Sequence, residues 1–270
     1  MTSETTNTEI APTHEWLIRG GSAEAVQAFT DALGLDPAIE WQMLACEQTT
    51  LVALLAGTRP KVAIEIGSRY GGSMQVLSKY ADRVISVDID PTCDERLGPR
   101  FPNVEFVTGD SRATFAPLMS RLDEECAEVG FVLIDGDHTA AGVSSDISGL
   151  RRYHPRCPMF VVMHDSFNPD VREGIRTAPW LANPYVHAVE LDFAPGVLTL
   201  DPSAYREMWG GLALAVLLPT PRTNGLDVTA RHEKHFRQVF AGSAHRPFDL
   251  QSIRRRVLNK GRKLMGLLGR

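Results

Sequence analysis

Cysteine is scarce in this 270-residue chain. Cys46, Cys93, Cys126 and Cys157 each lie more than thirty residues from the next. No CxxC or Cys/His pair has zinc-finger spacing, so the four are read as reduced packing residues rather than a disulfide or structural-zinc framework. Long apolar runs are missing too. Nothing approaches the roughly 18 residues of a membrane span, and the start MTSETTNTEIAPTHEW lacks the apolar core of a secretory signal. A cytoplasmic protein without a transmembrane segment is expected. Internal repeats and low-complexity stretches are absent, as is any module of basic residues interleaved with aromatics, which argues against a nucleic-acid partner. No Gly-x-Gly-x-x-Gly follows a strand-like run, and this disfavours a dinucleotide-dependent dehydrogenase.

What is present is a soluble-globular composition, 43% hydrophobic, with a net charge of −5. That charge is uneven: from Ala230 onward eleven Lys and Arg face only Glu233 and Asp249, leaving about −14 on the rest. Residues from about Ser22 to Thr58 carry few breakers and recurrent apolar positions, including Val26, Phe29, Leu33, Leu44, Leu51, Leu54 and Leu55, as expected of covering helices. Six β-rich runs with helix-sized gaps then follow: KVAIEI, RVISVD, NVEFVTGD, GFVLIDGD, PMFVVMHD and YVHAVELD. Such alternation implies βαβ units and a parallel sheet. The breaker-containing segment Phe193 to Met208 reads as a connection, and the apolar run Gly211 to Leu218 as a seventh strand reached by a hairpin, hence antiparallel. The expected fold is α/β, a Rossmann-like doubly wound seven-stranded sheet of six parallel strands and one antiparallel. Helices lie on both faces, under an N-terminal helical cover. Three regions are expected: a tail and cover over 1–58, a cofactor-binding core over 59–221 and a basic extension over 222–270.

Ligands of open α/β sheets bind beyond the carboxyl ends of the strands. The first run ends in Glu65-Ile66-Gly67-Ser68-Arg69-Tyr70-Gly71-Gly72-Ser73. Its glycines admit close backbone approach, and Gly71 and Gly72 open a helix whose amides face the site. Glu65 would repel a phosphate but suits an ammonium. Asp88, twenty-one residues after Gly67, can accept both hydroxyls of a ribose. Asp110 in Gly-Asp-Ser can reach an adenine amino group, although such an acid is as often a helix cap.

In that order, on three successive strands, these features resemble the class I S-adenosylmethionine (SAM)-dependent methyltransferases over about Lys61 to Leu218. EIGSRYGGS, IDGDH and a strand ending in His-Asp are similar to a bacterial branch with metal-dependent macrolide-sugar O-methyltransferases and cephalosporin-hydroxylase-like proteins. The resemblance implies SAM as cofactor, contacted by Glu65, Gly67, Ser68, Gly71, Gly72, Ser73, Asp88, Asp110 and Asp135. It also implies methylation of a hydroxyl on a small molecule such as a sugar or glycosylated natural product.

At the reacting end, Ile134-Asp135-Gly136-Asp137-His138 and His164-Asp165-Ser166 close adjacent strands. Asp135 and Asp165 are candidate ligands of a divalent metal, Mg²⁺ first and Mn²⁺ second. His164 is a third, standing where the related sites have an acidic residue, and imidazole favours Mn²⁺, Fe²⁺ or Zn²⁺. Asp137 either supplies an oxygen ligand or caps the next helix. His138, whose ordinary pKa suits proton removal near neutrality, is the candidate base. In the resembling sugar methyltransferases an Asp-x-x-His segment supplies metal ligand and base, and Asp135 and His138 match it. Phe167, Asn168, Trp180, Tyr205 and Trp209 fall in segments expected to roof the site. Two other readings stay open: a metal oxygenase using His164, Asp165 and Asp135, and a non-catalytic SAM-binding partner protein. The basic tail reads as a solvated terminal helix, which could also lie on anionic lipid, steer an acidic substrate or pack on a second copy of the chain.

Overall fold

A computed structural model describes residues 31–245. Val26, Phe29 and the terminal helix expected in the basic extension therefore lie outside the described residues. Helix α1 (Ala45–Thr58) precedes an alternating series: β1 (Val62–Ile66), α2 (Gly72–Tyr80), β2 (Arg83–Asp88), α3 (Cys93–Leu97), β3 (Val104–Thr108), α4 (Ser111–Glu124), β4 (Val129–Ile134), α5 (Ala140–Ser148), β5 (Met159–His164) and α6 (Pro169–Thr177). A long hairpin of β6 (Val186–Leu198) and β7 (Met208–Leu217) follows, and then β8 (Asp227–Thr229) and α7 (Glu233–Gly242).

The sheet order is β3-β2-β1-β4-β5-β7-β6-β8. All neighbours pair in parallel except β7, which runs antiparallel to both β5 and β6. The doubly wound α/β architecture is as expected from the sequence, with an eighth strand added at the β6 edge. Strand β8 has three exposed residues, too short for period-two patterning to announce it.

Every residue of β1 and β4 is buried, because helices cover both faces of the sheet. Strand alternation divides those residues between two cores. Ile64, Ile66, Val132 and Ile134 join Phe115, Leu118 and Leu122 of α4, Val143 and Ile147 of α5, and Val171 and Ile175 of α6. Ala63, Phe131 and Leu133 face the other way, onto Leu51 and Leu55 of α1 and Val76 and Leu77 of α2. Because β2 and β3 extend from one side of β1 while β4 lies on its other side, the β1 and β4 carboxyl ends flank the crevice where such sheets bind ligands.

The segment from Phe193, expected as a connection, is instead strand as far as Leu198. Pro195 and Gly196 are tolerated there for separate reasons. Strand β8 pairs with β6 only over Ala188 to Glu190, so Pro195 lies on an open edge where its missing N–H costs no ladder bond. A Cβ on Gly196 would lie 2.3 Å from the Phe167 Cβ, so close packing, not a turn, requires the glycine. Beyond residue 221, α7 is fastened to the core. Buried Arg172 pairs with Asp192 at 2.7 Å and with Glu233 at 2.9 Å, and Phe236 meets the Phe167 ring edge-on at 5.5 Å. Among the described residues no helix is long and apolar enough to cross a membrane.

Candidate active site

One cavity of about 1170 Å³ runs over the carboxyl ends of the strands. At one end its wall carries Asp88, Asp110 and Arg112; Gly67 and Tyr70 lie in the middle; Asp135, His138, Asp165 and Trp209 close the other end.

The loop after β1 has its shape because several positions exclude a side chain. Gly67 (φ 88°) and Gly71 (φ 86°) take left-handed backbone, costly for any residue with a Cβ. A Cβ on Gly67 would stand 2.1 Å from the Asp135 carbonyl oxygen, and one on Gly72 would stand 2.4 Å from the Trp41 Cα. The loop is thus clasped between the end of β4 and the segment before α1. From β2, Asp88 braces it: Oδ2 accepts the N–H groups of Ser68 (2.8 Å) and Arg69 (3.0 Å), and Oδ1 accepts that of Asp90 (2.8 Å). A carboxylate has about four acceptor sites, so capacity remains for a ribose hydroxyl.

Glu65 is fully buried. One carboxyl oxygen accepts from the Ser73 hydroxyl, and the other has no hydrogen-bond partner. Burial pushes its pKa up to about 8, against the opposing effect of Ser73. The Ser68 hydroxyl shares a hydrogen bond with Ser86. Asp110 caps α4, accepting from Arg112 N at 3.0 Å, and pairs with the Arg112 guanidinium at 2.6 Å, which holds its carboxyl below the usual range.

At the reacting end, β4 delivers Asp135 and His138 and β5 delivers His164 and Asp165. Donor atoms of Asp135, His138 and Asp165 all lie within 4.8 Å of one another. His138 Nε2 is 3.0 Å from Asp165 and 3.5 Å from Asp135, and the ring meets Trp209 edge-on at 5.6 Å between centroids. The two carboxylates beside it raise the His138 pKa to about 10, although Nε2 makes no aligned hydrogen bond to either. Asp165 has φ 56°, an uncommon conformation outside glycine and one that recurs at functional sites. Its Oδ1 accepts from Gly210 N at 2.6 Å. Burial opposes charge on His164, yet Asp135, Asp165 and Glu47 together outweigh it and hold this imidazole well above its ordinary pKa. Asp135 is held low: burial works against the carboxylate, and the charge of His164 together with the neighbouring His138 imidazole prevails.

Residues 64–166 match the family model of a methyltransferase domain. That segment is a methyltransferase domain. The matched segment runs from β1 to just past β5 and includes every cofactor, metal and catalytic residue named from the sequence, though none of those expected in the roof. No curated protein matches the sequence. Among solved structures, the cofactor-bound Rv0187 from "MTB" is 21% identical, with 73% of this chain and 88% of that one covered and a TM-score of 0.46. The O-methyltransferase from Bacillus cereus in complex with SAH is 18% identical (77% and 93% covered, TM-score 0.46). The O-methyltransferase TomG from Streptomyces achromogenes, in complex with SAM, is 16% identical (76% and 90%, TM-score 0.46).

Around the cavity the sequence-derived residues separate into three groups. Asp135, His138 and Asp165 converge, while Gly67, Gly71, Gly72, Ser68, Ser73, Glu65 and Asp88 form and brace the loop. Asp110 lines the cavity with its carboxylate already engaged as a cap. His164, expected as a third metal ligand, faces carboxylates with both nitrogens: Nδ1 lies 2.9 Å from Asp135 and Nε2 lies 3.2 Å from Glu47. The imidazole in position to join the two carboxylates is that of His138. Asp137 accepts from Thr139 N at 2.9 Å, but Thr139 itself caps α5, and Asn168 caps α6. Of the residues expected in the roof, Phe167 and Trp180 are buried core side chains, whereas Trp209 faces the cavity.

Glu47 was not anticipated. It is fully buried, lines the cavity and reaches His164 from α1. Its signal was a carboxylate on the apolar face of that helix, in register with Leu51 and Leu55 at four-residue spacing.

Proposed function

We propose that this methyltransferase moves the SAM methyl group to a hydroxyl of a small acceptor, a sugar or glycosylated natural product, at the Asp135–His138–Asp165 cluster. One observation carries the reading: an imidazole and two carboxylates meet within 4.8 Å at the end of the cavity that begins at the glycine loop. Glu65 has an oxygen in want of a donor, which the ammonium of a methionyl group would supply. Asp88 lies where a ribose can be held. Thr199, Asp201, Ser203 and Trp209 line the acceptor end, a polar wall with one indole face, as suits a sugar. The cavity's arginines, Arg69, Arg96 and Arg112, belong to the loop, α3 and α4, so among the described residues no Lys or Arg at the acceptor end favours a phosphorylated substrate.

The donor set fits a divalent cation, since two carboxylates with an adjacent imidazole suit Mn²⁺ as well as Mg²⁺. Asp135 and Asp165 would hold it. Such a cation, when bound, lowers the pKa of an acceptor hydroxyl at its oxygen. With both carboxylates bearing on it alone, His138 keeps its proton to about pH 10. The imidazole is a base near neutrality only when the charge of Asp135 and Asp165 is offset. His138 Nε2 would then take the hydroxyl proton, and the oxygen would receive the methyl group in line as its bond to the SAM sulfur breaks and S-adenosylhomocysteine leaves. The oxygenase alternative would draw on His164, whose nitrogens face Asp135 and Glu47, so the hydroxyl-methylating reading is preferred.

His138→Ala tests the reading. It should lower methyl transfer to alkyl glycosides by at least about a hundredfold while leaving SAH affinity and Mn²⁺ binding within about twofold of the parent. Retained turnover would remove His138 as base, and lost Mn²⁺ binding would make it a ligand instead.

A further inference from the structure

We infer that Glu47 is a positioning residue for methyl transfer: from α1 it fixes the His164 ring, and through that ring the Asp135 carboxylate at the reacting centre. This rests on the O-methylation reading of the same site.

Glu47 sits at the third position of α1, where a glutamate normally folds back to cap its own helix, and its Oε2 does accept the Leu44 N–H at 2.6 Å. A cap needs no burial, however, and this carboxylate is fully buried. Oε2 also lies 3.2 Å from His164 Nε2, 117 residues away in sequence, and Oε1 accepts from Gly211 N. A buried carboxylate persists when it is paired and hydrogen-bonded, and here three N–H donors from three parts of the chain converge on two oxygens.

Strand β7 is shaped around this arrangement. Gly210 and Gly211 have φ of 72° and 83°, and a Cβ on Gly210 would lie 2.7 Å from Glu47 Oε1. The two consecutive amides point to different acids, Gly210 N to Asp165 at 2.6 Å and Gly211 N to Glu47. His164 is tied at both ends, by Glu47 at Nε2 and by Asp135 Oδ1, 2.9 Å from Nδ1. A ring held at both nitrogens cannot rotate, so Asp135 meets the cavity in one orientation.

Glutamine at 47 keeps the size but replaces one acceptor with a donor, so one of the three N–H groups is opposed by another. Glu47→Gln should lower kcat for alkyl-glycoside methylation by about tenfold to a hundredfold, with KM for SAM and SAH affinity within about twofold. The effect should vanish in a His164→Gln background if Glu47 acts through His164. Equal losses in both backgrounds, or no loss in kcat, would overturn the inference. The contact is also readable without an acceptor. In the SAH-bound protein, the downfield ring N–H resonance that His164→Gln removes should shift in Glu47→Gln, and an unmoved resonance overturns the inference. Should wild-type protein methylate no glycoside, the O-methylation reading fails alone, and the resonance still decides the role of Glu47. If the glutamine variant does not fold, Glu47→Asp, which keeps the charge but shortens the reach, should move the same signal.

Discussion

Cofactor binding should expel a proton, and Glu65 should be its source. In the free protein this carboxyl is buried, has one oxygen without a partner, and has its pKa pushed up to about 8 from an ordinary 4.5. That difference corresponds to about 5 kcal/mol against the charged form. At pH 7 about nine-tenths of the molecules hold the carboxyl neutral, and at pH 9 about one-tenth do. An ammonium placed against the free oxygen favours the carboxylate, so binding ionises Glu65. The sign follows: proton release is near its maximum at pH 7 and fades as pH rises through 8. Titration calorimetry of SAH in buffers of differing ionisation enthalpy should therefore show, as the difference between wild type and Glu65→Gln so that the ligand's own amino titration cancels, about 0.9 proton released per cofactor at pH 7 and about 0.1 at pH 9. Glu65→Gln should abolish that share of the release and weaken binding. Heats independent of buffer at pH 7, or the same release from Glu65→Gln, would refute the assignment of the ammonium to this carboxylate.

Two further outcomes follow from the loop and from the wall behind it. Gly67→Ala would drive a Cβ to 2.1 Å from the Asp135 carbonyl at φ 88°; urea unfolding should show a loss of at least about 2 kcal/mol, and a change within about 0.5 kcal/mol would contradict the close approach. Asp146 in α5 is buried without a hydrogen-bond partner, and burial pushes its pKa up to about 6. An acid with a folded-state pKa above its unfolded value costs stability as pH rises from about 4 through 6. Asp146→Asn should accordingly stabilise the fold at pH 8 by about 1 to 3 kcal/mol, with the gain shrinking toward pH 5. A variant less stable than its parent at both pH values would contradict this.

The alternation of apolar strands with helical gaps made the doubly wound sheet legible, because strands buried on both faces leave continuous runs such as Val132 to Ile134. The glycine loop was legible because positive φ and sub-3 Å approaches restrict residue choice at Gly67 and Gly72. Sequence reasoning stopped where tertiary contact decides. Pro195 and Gly196 looked like a break in β6, yet one lies on a free edge and the other against Phe167. His164 looked like a ligand because its strand places it beside Asp165, and only the arrival of Glu47 from α1 shows that both its nitrogens are engaged. Glu47 in turn was hidden within a helix that otherwise reads as cover. Asp110 combined two signals, a cap and a cavity acid, and its pairing with Arg112 depends on geometry that no spacing encodes.

The most direct test of the whole arrangement is a crystal structure with SAH and Mn²⁺ located by anomalous scattering. It should place the homocysteine ammonium at Glu65, the ribose at Asp88 and the manganese against Asp135 and Asp165, with the sulfur facing His138. A cofactor seated away from the Gly67 to Ser73 loop, or manganese bound anywhere but that carboxylate pair, would contradict it.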